Sequence, residues 1–277
     1  MRLTIILAAA FALMAASTGE NAETAKWRAD YEASLKAPNG WLSVAGLFWL
    51  HAGDNIVGSD PQSDVVLPSG APKRAGVMKL AGGKVTFENK QLKSDASGKP
   101  DAVKIGDVTM TIIERNDKIG VRMKDPNAET RRDFTGCKWF APDPAWRVHA
   151  KWVAYAKPKK IAITNILGMT DQEDSPGYAE FSLKGQSTKG QTIRLEPVSE
   201  DGGLFFIFKD ATSGKNTYGA GRFLDTDLPK SGELELDFNK AYNPPCAFTA
   251  FATCPLPPKQ NVLTAAIEAG EKKYGKH

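Results

Sequence analysis

Leu236-Asp-Phe-Asn-Lys-Ala-Tyr-Asn-Pro-Pro-Cys-Ala-Phe-Thr-Ala-Phe-Ala-Thr-Cys-Pro-Leu-Pro-Pro-Lys-Gln-Asn261 holds five prolines, two cysteines and four aromatic residues. No single strand or helix accommodates that composition, because each proline fixes its own φ and removes a ladder donor. The stretch therefore reads as a shaped, non-repetitive segment. Polyproline II geometry keeps such a chain extended at low entropic cost, so the sequence predicts a cover, Asn243 to Pro258, laid across the open end of a sheet.

Outward from that segment the pattern is one of short strands. Trp146 to Tyr155, Lys160 to Asn165, Tyr178 to Leu183, Thr192 to Glu196, Leu204 to Lys209, Arg222 to Leu224 and Leu234 to Phe238 are separated by turn residues at Ser175-Pro176-Gly177, Asp201-Gly202-Gly203 and Ser213-Gly214. This spacing predicts an antiparallel sandwich or barrel. Leu204 to Phe208 is apolar on both faces and belongs at a sheet's centre. The composition shifts around Pro126 to Pro144, which predicts a boundary between a module at 22–126 and another at 127–277.

The first module opens on a helix from Asn21 to Lys36. Trp27, Tyr31 and Leu35 recur every fourth residue, Thr24 supplies a cap, and Pro38-Asn39-Gly40 stops the helix. Its aromatic stripe is expected to dock on the sheet that follows. Val65 to Leu67, Val77 to Leu80, Lys84 to Glu88, Val108 to Arg115 and Lys118 to Met123 read as strands, with Gly82-Gly83 and Asn116-Asp117 as hairpin turns. The fold class expected is mainly β: two antiparallel β-sandwich or barrel modules with a short N-terminal helix.

Met1-Arg2 is a positive start, Leu3 to Ala16 an unbroken apolar run, and Ala15-Ala16-Ser17 a stretch of small residues. Together they predict a secretory signal over 1–18, the alternative being a buried N-terminal helix. The run is shorter than the ~20 residues a membrane-spanning helix needs. The expected location is periplasmic or secreted, with no stable membrane span. The net charge of +4 is dispersed along the chain, which argues against a nucleic-acid partner.

Cys246 and Cys254 close a short loop, and Cys137 is left over. In an exported chain the first reading of the pair is a disulfide. Metal ligation is the rival, but His51, His149 and His277 lack the paired spacing of a metal site, so no metal or cofactor is assigned. A redox pair is the third reading, weakened by a spacing that is not Cys-x-x-Cys.

Strand alternation gathers Glu180, Arg194 and Arg222 as polar residues that would meet inside an enclosed second module, with Asp210, Asp237, Asn239 and Asn243 in the adjoining turns. That set would form a ligand cavity with an anion-binding arginine. The alternative is a solvent-facing set or a structural ion-pair network. Asp210-Ala-Thr-Ser-Gly214 lacks the glycine of a nucleophile elbow and reads as a turn, and His149 alternates with Arg147 and Lys151 on a wet face.

Two resemblances add to this. Gly53-Asp-Asn-Ile-Val-Gly-Ser-Asp-Pro-Gln-Ser-Asp-Val-Val-Leu-Pro68 resembles the opening of forkhead-associated domains, which are β-sandwiches that bind phosphothreonine peptides. The arginine those domains carry after the glycine is replaced by Ser59, so the resemblance implies the scaffold without the phosphate site. Trp41-Leu-Ser-Val-Ala-Gly-Leu-Phe-Trp-Leu50, Pro142-Asp-Pro-Ala-Trp-Arg-Val148, Tyr218-Gly-Ala-Gly-Arg-Phe-Leu224 and Asp237-Phe-Asn-Lys-Ala-Tyr-Asn-Pro-Pro-Cys-Ala-Phe248 resemble a bacterial family of exported proteins known as a domain of unknown function. The likeness runs from about Trp27 to Tyr274 and implies two β-rich modules and an envelope location. Cys137 stands where it implies an aliphatic residue. The function expected is a binding or accessory protein of the envelope that holds a small ligand or a protein partner in its C-terminal module. The alternative is a hydrolase or transferase that uses the carboxylates and arginines of the same module.

Overall fold

Side chains that alternate along the sequence alternate across the sheets of the structure, a computed structural model that describes residues 21–183, 192–200 and 202–275. The signal expected over 1–18, Asp201 and His277 lie outside the described residues. The protein is mainly β, with antiparallel sheets of which one curls into a half-barrel. Two units form, and each has its own core.

One unit comprises Ser34–Thr135 and Phe248–Thr253. Its strands are β1 (Val44–Trp49), β2 (Gly53–Gly58), β3 (Val65–Val66), β4 (Gly76–Ala81), β5 (Lys84–Phe87), β6 (Lys90–Leu92), β7 (Ala102–Ile105), β8 (Val108–Arg115) and β9 (Lys118–Lys124). They build a sheet of order β1-β9-β8-β7 and another of order β3-β2-β4-β5-β6, in which β2 and β3 alone run parallel. Val57, Met78, Met110, Ile112 and Val121 form the shared core. The predicted two-residue turns close their hairpins: Ala81 pairs with Lys84 and Arg115 with Lys118. Gly82 and Gly83 both take positive φ, 56° and 74°, which a right-twisted two-residue hairpin requires.

The other unit holds residues 21–33, 136–247 and 254–275. Helix α1 spans 21–36, as its periodicity predicts. Its aromatic stripe, however, faces a different partner from the one expected. Tyr31 stacks on Trp27 with ring centroids 5.5 Å apart, and both rings pack against Trp139 and Tyr242 rather than against the sheet that follows. Arg28 donates to Phe140 O at 2.9 Å and to Asn239 O at 3.0 Å. These bonds tie most of α1 to the second unit.

Its strands are β10 (Arg147–Thr164), β11 (Thr170–Ser182), β12 (Thr192–Leu195), β13 (Val198–Glu200), β14 (Gly203–Phe208), β15 (Arg222–Thr226) and β16 (Glu233–Asp237). They form a sheet of order β12-β11-β10-β16 and another of order β13-β14-β15. The expected break between Tyr155 and Lys160 is absent, because β10 is one strand of 18 residues. Ser175-Pro176-Gly177 is likewise no turn. It lies inside β11, where the register shifts between Ala154 and Lys159, so Pro158 and Pro176 mark a bulge that absorbs their missing donors. β14 occupies the centre of its sheet, with Phe206 and Phe208 fully buried, as its apolar faces predict.

The proline-rich tail is an integral layer of this unit. Ala265, Ile267 and Ala269 enter the same core as Phe206 and Phe208. Leu263 N–H donates to Lys209 O at 2.7 Å, Lys209 N–H to Asn261 O at 3.0 Å, and Ala211 N–H to Ala265 O at 2.9 Å, so the tail continues the end of β14. Asn261 is 1% exposed and laces the sheets together. Its Nδ2 donates to Glu196 O and Ile207 O at 2.8 and 2.9 Å, while its Oδ1 accepts from Glu196 N–H at 2.9 Å.

Asn261→Ala would strand those three backbone groups, each at about 1–3 kcal/mol. The expected outcome is a urea midpoint lowered by the equivalent of at least ~3 kcal/mol. An unchanged midpoint would refute the lacing role.

Candidate functional site

The residues singled out in the sequence separate into four places. Glu180 on β11 and Arg194 on the edge strand β12 face each other in register, and Arg194 Nε donates to Glu180 Oε2 at 2.9 Å. Arg222 does not join them, because β15 belongs to the other sheet. It is paired with Asp210 at 2.8 Å, and both side chains are wholly buried.

The Arg222–Asp210 pair is bonded through both terminal guanidinium nitrogens, while Arg222 Nε is buried with no hydrogen-bond partner among the described residues. Arg222 Nη2 also donates to Ile267 O at 2.9 Å, and Nη1 donates to Ala269 O. Asp210 Oδ1 accepts from Thr212 N–H at 2.7 Å, from Thr212 Oγ1 at 2.6 Å and from Ile267 N–H at 3.3 Å. Burial pulls the guanidinium below the usual arginine range, and Asp210 opposes that pull. A buried charge is tolerated only with such compensation. The pair therefore fixes the tail to the sheet, and the tail fills the space the sequence reading left for a ligand.

Asp237 and Asn239 serve the segment before β10. Asp237 Oδ1 accepts from Asn239 N–H at 3.1 Å and from Asn239 Nδ2 at 3.0 Å, while Asn239 Nδ2 donates to Asp143 O and its Oδ1 accepts from Asp143 N–H, both at 3.0 Å. Asn243 is the seventh candidate and leads to a residue the sequence reading missed. Its N–H donates to Glu271 Oε2 at 2.7 Å, and Glu271 is 0% exposed. The Tyr31 and Cys137 side chains adjoin the same carboxyl. Burial, against these opposing bonds, pushes Glu271 up to about 7 from its ordinary 4.5. Burial also raises the Tyr31 phenol and the Cys137 thiol, with Glu271 as the next cause.

Cys246 and Cys254 are not joined by a disulfide, which corrects the first reading of the pair. They meet as thiols, with Cys246 N–H donating to Cys254 Sγ at 3.1 Å. Among the described residues no group of three or more metal-ligating side chains forms.

The open recess lies beside Glu180 and Arg194. A cleft of about 640 Å³ runs between the edge strand β12 and the tail just beyond the proline-rich cover. Thr192, Arg194 and Gln260 give it polar walls, and Ile193, Val262 and Leu263 apolar ones. Among the described residues Arg194 hydrogen-bonds through Nε alone, so its two terminal nitrogens are available, and its guanidinium lies 5.0 Å from the Tyr178 ring centre. Gln260 donates to Glu196 Oε2 at 2.7 Å, and Tyr155 donates to Glu196 Oε1 at the same distance, which holds the polar wall.

Residues 132–272 match the family model described as a protein of unknown function, DUF1684. The chain belongs to this family. The DUF1684 segment includes the cleft, the Arg222–Asp210 pair and Glu271. The solution NMR structure of an uncharacterized protein from gene locus rrnAC0354 of Haloarcula marismortui is 32% identical over 53% of this chain and 81% of that one, with a TM-score of 0.43. No curated protein matches the chain. Among the described residues no helix is long and apolar enough to cross a membrane.

The Glu271 carboxyl gives the DUF1684 segment a pH signature. Its folded-state value is raised, so between 4.5 and about 7 the folded chain holds more protons than the unfolded one. Stability must then fall as pH climbs through that window, by roughly 3 kcal/mol in total for this group. Glu271→Gln keeps the shape and removes the titration. Denaturation of both proteins from pH 4.5 to 8 should show the wild type losing stability relative to the variant as pH rises; parallel curves would contradict the assignment.

Proposed function

We propose that the protein is an exported envelope protein that binds a small anionic ligand in the cleft between β12 and residues 260–265. The observation that carries the reading is Arg194: an arginine on a strand edge whose two terminal nitrogens have no hydrogen-bond partner among the described residues, at the wall of a recess of about 640 Å³. That volume lies in the range of about 300–1,000 Å³ typical of small-molecule sites, which pair apolar walls with a few placed polar groups. The Glu180–Arg194 pair is partly solvated, the Arg194 side chain being 65% exposed, so it is worth little as a structural bond. A guanidinium in that position exchanges a solvated carboxylate for a bidentate ligand carboxylate or phosphate at low cost.

The positive start and apolar run of residues 1–16 support export. The first module supports a scaffold role. Ser59, at the place of the forkhead-associated arginine, donates its hydroxyl to Ala71 O at 2.6 Å. For the hydrolase or transferase alternative, Asp210 is sealed against Arg222 and Asp237 is tied to Asn239, which leaves Glu180 as its carboxylate at the cleft.

The test is native mass spectrometry of protein purified from its own compartment, followed by calorimetric titration with the copurified anion. Arg194→Ala should raise Kd at least about tenfold. Glu180→Gln, which frees the guanidinium, should leave binding equal or tighter. Unimpaired binding by Arg194→Ala would refute the site, and full-length protein retained in the cytoplasm would refute export.

A further inference from the structure

Cys246 and Cys254 stand eight positions apart in sequence, yet the fold brings them into contact. Each is anchored separately. Tyr218 Oη donates to Cys246 O at 3.1 Å, and Cys246 sits in a short 3-10 turn, Pro245–Ala247. Cys254 O accepts from Ile166 N–H at 2.9 Å, and Leu256 N–H donates to Thr164 O at 2.8 Å, which pins this side to the end of β10. Cys246 is half-buried and Cys254 buried. Cys246 N–H points at Cys254 Sγ from 3.1 Å.

We propose that Cys246 and Cys254 form a redox-active dithiol, with Cys246 the attacking thiol and Cys254 the resolving one in exchange with an external disulfide. The contact of the Cys246 amide with Cys254 Sγ supplies the proximity that the wide sequence spacing does not. Two cysteines already within hydrogen-bond range need only a small side-chain rotation to reach bonding geometry. Exposure assigns the roles, because an external disulfide can approach the half-buried Cys246 but not Cys254.

The exchange proceeds in two displacements. Cys246 gives its proton to solvent, and its thiolate attacks one sulfur of the external disulfide. The external S–S bond breaks, a mixed disulfide forms, and the other half leaves as a thiolate that takes up a proton. Cys254 then loses its proton and attacks Cys246 Sγ, which expels the second half as a thiol. Two electrons and two protons pass from the pair to the external disulfide. The Cys246 amide stabilises the thiolate that develops on Cys254, and hydrogen bonding from Cys254, against burial, draws the Cys246 thiol below its ordinary value. Cys137 is the internal contrast, since burial and then Glu271 drive its thiol upward.

The test uses the reduced full chain and oxidised glutathione, read by intact mass and peptide mapping. The wild type should lose two hydrogen atoms, carry a Cys246–Cys254 bridge and retain no glutathione. Cys254→Ser should hold one glutathione on Cys246, and Cys246→Ser should hold none on Cys254. Cys137 should remain a thiol in every folded form. Absence of the bridge in the wild type, or glutathione on Cys137 in preference to Cys246, would overturn the proposal. This readout involves neither the cleft nor the leader, so it stands or falls apart from the ligand-binding reading.

Discussion

A guanidinium with no exposure to water is the constraint around which the second unit is organised. Arg222 can remain charged there only because Asp210 neutralises it and two tail carbonyls, Ile267 O and Ala269 O, accept from its terminal nitrogens. Removing one partner of such a pair typically costs about 3–5 kcal/mol. The tail therefore cannot detach without leaving a buried charge half-solvated. Sheet, ion pair and tail fold as one structure, and the non-repetitive sequence after Phe238 is ordered for that reason.

That coupling makes a cleft out of an edge. β12 ends its sheet with an open side, and an unpaired edge is ordinarily an aggregation hazard. Here the tail runs alongside, held by Asn261 at the ends of β12 and β14, and leaves a gap where Arg194 and Gln260 meet apolar side chains. Both walls are fixed before any ligand arrives, so little ordering entropy opposes binding. The same rigidity holds the Cys246 amide against Cys254 Sγ at the far ends of their loop.

The strands were legible because period-two alternation and two-residue turns are local signals. Val108–Arg115 coincides with its predicted bounds, and Gly82-Gly83 and Asn116-Asp117 turn the chain as expected. Proline misled where its context was tertiary: Pro176 read as part of a turn, yet it shares with Pro158 a bulge that lets β10 and β11 continue past them. The α1 stripe was visible, but its partners Trp139 and Tyr242 lie far along the chain. Of the site, Glu180 and Arg194 emerged from alternation on neighbouring strands. Arg222 obeys the same alternation, and no sequence period reveals that its strand joins the other sheet. Glu271 gave no signal, since its burial arises from Tyr31, Cys137 and Asn243 converging from three distant segments.

The most direct measurement of this interdependence is native-state hydrogen exchange at three tail amides: Leu263, bonded to Lys209 O, Ile267, bonded to Asp210 Oδ1, and Glu271, bonded to Ala241 O. If the buried pair unites tail and sheet, these amides open only with the global unfolding of the unit, at the same free energy as Phe206 and Phe208 in β14. Exchange of the tail amides through a separate, lower-energy opening, with the β14 amides still protected, would contradict it.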